Sequence, residues 1–83
     1  MKNEKYPEKL MQSYVLEKFF VSTVYRLQCS AMIERWYYET IVFEWDKETR
    51  KTGPIIDTHD SGSNPEWAAK SHNKMCEKII SEQ

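Results

Sequence analysis

The pattern of apolar and polar positions divides the chain into a mixed start, two dense apolar runs, a short third run and one amphipathic stretch at the end. Residues 19–27, FFVSTVYRL, are rich in β-branched and aromatic side chains and hold no breaker, which predicts a strand. Phe19, Val21, Thr23, Tyr25 and Leu27 alternate with Phe20, Ser22, Val24 and Arg26, and the first set makes the better core face. Residues 36–45, WYYETIVFEW, form the strongest strand pattern in the chain. Here Tyr37, Glu39, Ile41, Phe43 and Trp45 alternate with Trp36, Tyr38, Thr40, Val42 and Glu44, and both sets are largely apolar. A strand apolar on both faces belongs in the middle of a sheet. One helix covers one face only, so the other needs another chain or the N-terminal segment to shield it.

The remaining segments connect and cap these strands. Residues 28–35 have weak strand character and no Asn-Gly or Asp-Gly pair, which predicts a longer, irregular connection. Residues 46–53 read as a charged hairpin loop. Pro54 then opens a short third strand over residues 55–58, and a strand that begins at proline belongs at an edge because proline cannot donate to a ladder. Residues 57–63, DTHDSGS, carry turn chemistry. Asn64-Pro65-Glu66 marks a helix start: Asn64 suits the N-cap, Pro65 the first helical position, and Glu66 the positive end of the helix dipole. Ala68, His72, Met75, Cys76 and Ile79 then fall on one stripe, widened by Trp67 and Ile80, while Lys70, Asn73, Lys74, Glu77 and Lys78 face water. Residues 2–18 read either as a short helix opened by Pro7, with Leu10, Met11, Tyr14 and Val15 on one face, or as a loosely packed arm, and the spacing favours the helix. The expected fold is therefore α+β: a three-stranded antiparallel β-meander with one C-terminal α-helix packed across it. One β-β-β-α domain spans residues 19–83, behind an arm or short helix over residues 1–18.

Composition narrows the function classes. At 83 residues the chain makes one small domain, which buries roughly 60–65% of the surface its unfolded form exposes. Aromatic content is 13%, and a small aromatic-rich protein often completes its core by dimerising. The net charge of −1 supplies no basic field for a phosphate backbone, so nucleic acid is a disfavoured partner. Met1 is followed by Lys2, Asn3, Glu4 and Lys5, without an apolar run of signal-peptide or membrane-span length. The expectation is a cytoplasmic protein whose Cys29 and Cys76 are reduced thiols.

Candidate chemistry is sparse. His72 and Cys76 lie four residues apart on one helix face and can share a metal, with Asp57, His59 and Asp60 just ahead. The simpler reading makes His72 a core-edge histidine bonded to a strand backbone and Cys76 a small buried apolar group. Cys29 with His59 or His72 would form a thiol–imidazole pair, but nothing in the neighbouring sequence activates the thiol. Glu39 inside an apolar strand suits a buried general base, or else an ion pair with Arg26 or Arg35 across the ladder. Trp36, Tyr37, Tyr38 and Trp45 suit a binding surface and suit a core equally well. With only Gly53 and Gly62, the chain has no glycine-rich phosphate loop.

Three motifs occur in order: VSTVY at residues 21–25, YETIVF at 38–43 and EWAAKSHNKM at 66–75. Together, over residues 19–79, they resemble a group of small proteins encoded by tailed phages and prophages. That group shares a VSTV strand, a [FY]-E-T-[MI]-V-F strand and a final helix of the form E-E-A-x-x-G-H-x-x-M. Ser71 stands where the group usually has Gly, and Cys29-Ser30-Ala31 stands where its first loop often has Asp-His. The resemblance implies a phage or prophage origin and a meander-plus-helix fold, and it brings no assigned activity with it.

The functional expectation is a non-catalytic accessory protein that occupies a host protein, in host takeover or counter-defence, or that pairs with itself as a homodimer or higher oligomer. Its binding residues are expected among Trp36, Tyr38, Glu39, Trp45 and Arg35, with no cofactor and no metal. One alternative is an oligomer that sequesters a nucleotide or other small signalling molecule, using aromatic stacking with Arg26, Arg35 and lysines. A second is a metal-dependent enzyme built on His59, His72 and Cys76.

Overall fold

A computed structural model describes residues 8–82. Four antiparallel strands run in chain order across a single sheet, followed by one helix: β1 (Glu8–Val15), β2 (Phe19–Cys29), β3 (Glu34–Asp46), β4 (Lys51–Asp60) and α1 (Pro65–Ser81). The α+β meander with a C-terminal helix is as the sequence predicts; the strand number is four rather than three.

The added strand is β1, where the sequence favoured a helix over part of residues 2–18. The portion of that expectation on residues 1–7 lies outside the described residues. Two features hide this strand from pattern reading. A register shift between Lys9 and Met11 breaks the alternation at Leu10, so that adjacent apolar residues imitate a helical face. The turn into β2 also carries no glycine. Leu16 and Glu17 both take positive φ, 56° and 58°, and the Lys18 amide donates to the Val15 carbonyl at 3.1 Å. Positive φ at both central residues is the hairpin geometry that normally announces itself as Asn-Gly.

The connection between β2 and β3 is likewise shorter than expected. Ladder pairing continues through Gln28↔Arg35 to Cys29↔Glu34, leaving a turn of residues 30–33 closed by the Ser30 amide donating to the Ile33 carbonyl at 2.9 Å. β4 is longer than residues 55–58 and takes in His59 and Asp60, which read as turn residues in the sequence. It is an edge strand, as its proline requires, with register shifts near Val42 and Phe43 on its partner.

Helix α1 begins where the sequence places it. The Asn64 side-chain oxygen accepts from the Glu66 and Trp67 amides at 2.8 and 3.1 Å, with Pro65 opening the first turn. Ala68, His72 and Ile79 are buried, and Met75 and Cys76 are half-buried. Trp67 and Ile80, expected to widen that stripe, are exposed: the helix crosses a narrow strip of β1, β2 and β3 and buries a correspondingly narrow one of its own. Beneath its C-terminal half lies an apolar cluster of Val15, Val21, Val42 and Ile79, with Phe19, Met75 and Cys76 packed against it. Under its N-terminal half the packing is polar.

Candidate interaction surfaces and a buried hydrogen-bond chain

The polar half of the core is one connected chain of side chains from every layer of the fold. His72 in α1, fully buried, lies 2.8 Å from Ser13 Oγ in β1 through Nε2 and 2.8 Å from Thr23 Oγ1 in β2 through Nδ1. Thr23 Oγ1 lies 2.7 Å from Thr40 Oγ1 in β3, which lies 2.9 Å from Ser61 Oγ just past β4. A neutral imidazole donates through one ring nitrogen and accepts through the other, and the hydroxyls then pass their bonds along in one sense. No buried side-chain nitrogen or oxygen among the described residues is left without a partner. Burial holds His72 below the ordinary histidine pKa, because a cation here has lost its water.

This arrangement decides between the readings of His72. It is a core histidine, bonded to strand hydroxyls rather than to a strand backbone. Cys76 is half-buried and its thiol is pushed up by that burial, the opposite of an activated nucleophile. Cys29 sits exposed at the far end of β2, whereas His72 is sealed between α1 and the sheet. Among the described residues, no group of three or more His, Cys, Asp or Glu side chains is placed to hold a metal ion.

A groove of about 200 Å³ runs between α1 and β4, lined by Phe19, Val42, Ile56, Met75 and Ile79, with Lys78 and Asp57 3.9 Å apart at its rim. It is an apolar crease without a convergent set of polar groups, and so lacks what fixes a small ligand in orientation.

The five predicted binding residues are not one patch. Trp36 and Tyr38 occupy the helix-side face of β3, while Arg35, Glu39 and Trp45 occupy the opposite face, as strand alternation demands. Glu39 pairs with Arg26 on the neighbouring strand, which is the structural role its position allowed. Arg35 forms a two-pronged pair with Asp60 at 2.9 and 3.2 Å and lies 4.8 Å from the centre of the Tyr37 ring. The Arg35 guanidinium and the Gly62 amide together hold the Asp60 carboxyl below the usual carboxylate range. Trp45 stands away from these ion pairs in an aromatic cluster, 4.7 Å from Tyr14 and 6.3 Å from Phe20 between ring centres, with Phe20 6.0 Å from Phe43.

Two surfaces follow that the sequence did not separate. The first is a finger. Among the described residues, β1 pairs with β2 as far as Tyr25, and the β4 ladder with β3 runs as far as Glu39. Among the described residues, the β2–β3 hairpin beyond Tyr25 and Tyr38 therefore projects as a two-stranded ribbon. Its tip is apolar, with Met32 90% and Ile33 64% exposed, and its helix-side face carries Leu27 and Trp36, the latter stacked on Tyr25 at 5.2 Å. Turn positions ordinarily take Gly, Asn, Asp or Ser, so the apolar Ala31-Met32-Ile33 would have been visible as an anomaly had the turn been located. The second surface is the face of the sheet away from α1, which no described element covers. No helix of the described residues is long and apolar enough to cross a membrane. Set against family models, curated proteins and solved structures, the chain matches none of them.

Proposed function

We propose that this chain is a non-catalytic binding module that recognises a foreign protein through the β2–β3 finger. The carrying observation is the exposed apolar tip, Met32 and Ile33, on a ribbon with the Arg26–Glu39 and Arg35–Asp60 pairs at its root. Isolated hairpins are marginal in water, and this one is stiffened because both strands continue into the middle of a four-stranded sheet. A convex apolar tip fits a concave apolar cleft, and ordering a ribbon that is already ordered adds little entropy cost to binding. Trp36 beside it supplies the residue type most enriched at interface centres. The sealed His72, the Cys76 thiol pushed up by burial and the groove without a convergent polar set all support a role without chemistry.

The resemblance to phage and prophage proteins points the proposal toward a cytoplasmic accessory protein that occupies a host factor, in takeover or counter-defence. The experiment is affinity capture from bacterial lysate with the wild-type chain and with Met32→Lys/Ile33→Lys, which alters only exposed positions. The expected result is a host protein retained by the wild type and lost with the double variant. Identical captured sets would overturn the finger as the recognition element.

A further inference from the structure

Among the described residues, no aromatic side chain is buried. Val15, Val21, Val24, Val42, Ala68 and Ile79 make up the buried apolar set, while every described Phe, Tyr and Trp keeps part of its surface in water. Several of these aromatics gather on the face of the sheet opposite α1. Tyr14, Phe20, Phe43 and Trp45 pack with tilted rings there, Ile41 lies on the same side of β3, and Ile55 stands opposite Phe43 in the ladder. Tyr14 is 63% and Ile55 57% exposed.

From these observations we infer that this face is the interface of a symmetric homodimer, in which two sheets pack face to face and the two helices lie outside. Three features select a second copy as the occupant. The first is shape: the face is a sheet surface rather than a groove, and sheets pack on sheets at about 10 Å with their side chains interdigitated. The second is size. Four strands of about seven residues span roughly 20 by 25 Å, about 500 Å² per partner and about 1,000 Å² in total, the lower bound for a specific interface. The third is charge. The charged side chains on this face at the root of the finger are already neutralised in pairs, Arg26 with Glu39 and Arg35 with Asp60. A two-fold axis sets a surface against its own image, which these paired charges tolerate better than a run of one sign would. An exposed aromatic face is an aggregation liability unless its cover is always at hand, and a second copy always is.

The inference does not rest on the finger's role, since it uses a different surface. Sedimentation equilibrium of the full chain over a concentration series tests it, alongside Ile55→Lys, Tyr14→Lys and the tip variant Met32→Lys. The expected mass is twice the 10.0 kDa protomer for the wild type and for Met32→Lys, and that of the protomer for the other two, with unchanged far-UV circular dichroism. A wild type that stays monomeric at hundreds of micromolar overturns the inference. A dimer that survives both Ile55→Lys and Tyr14→Lys overturns it as well, and so does a dimer broken by Met32→Lys alone.

Discussion

The most informative residues are the polar ones placed where the pattern expects apolar ones. Thr23 and Thr40 lie on the strand faces that the helix covers, and both are fully buried, as is His72 above them. Each would be costly alone, since an unpartnered buried polar group costs about 1–3 kcal/mol. Linked from Ser13 to Ser61 they satisfy one another and tie all the strands and the helix into one register. Thr23→Val keeps the volume and removes the central hydroxyl, leaving both the His72 ring and Thr40 short of a partner. We expect a loss of about 1–3 kcal/mol by urea unfolding, and a double-mutant cycle with Thr40→Val that is clearly non-additive. An additive cycle would mean that the hydroxyls act independently. The imidazole also sets a pH dependence. Because burial depresses its pKa, the folded chain stays neutral where the unfolded chain takes up a proton. Stability is then complete above about pH 6.5 and declines as pH falls below it, by up to ~1.4 kcal/mol per unit. The ion pairs of Asp60 and Glu17, whose carboxyls are held low by Arg35 and Lys47, weaken only at lower pH. Urea midpoints measured from pH 7 to pH 5 check this, with His72→Gln expected to be less stable and flatter across the interval.

At the scale of elements, legibility followed local chemistry. Helix α1 was readable to its first residue because Asn64-Pro65-Glu66 is a complete start signal, and its cap is made. Asn64→Ala should lower the thermal midpoint by the equivalent of about 1 kcal/mol, and no change would show that packing alone fixes the helix end. Strands β2 and β3 and their two faces were also legible, being long, β-branched and unbroken. β1 was not, because its bulge at Leu10 scrambles the period and its turn uses Leu16 and Glu17 at positive φ. The finger is hidden for a related reason: its turn lacks the residues that mark turns, so the sequence pattern ends the strand at residue 27 while pairing continues to Cys29. β4 was legible only over residues 55–58; it is exposed along its whole length, and its extension to Lys51 and Asp60 is defined by its ladder to β3. The residues expected to bind all lie on β3, but the ladder divides them between two faces where the sequence reads one surface.

For the whole molecule, the account comes down to a mismatch between aromatic content and cover. One narrow helix on one face of a four-stranded sheet leaves many of the aromatics partly at the surface, several on the finger and several on the open face of the sheet. A dimer through the flat face would present two fingers, and a bivalent binder gains apparent affinity wherever its target sites can be spanned together. The most direct test of the central claim follows Trp45, with Trp36 and Trp67 replaced by phenylalanine so that it is the sole tryptophan. Acrylamide quenching of its fluorescence is expected to fall as protein concentration rises through the micromolar range, and to stay high throughout in the added presence of Ile55→Lys. Quenching that is equal at every concentration would contradict the claim that the open face of the sheet finds its cover in another copy of the chain.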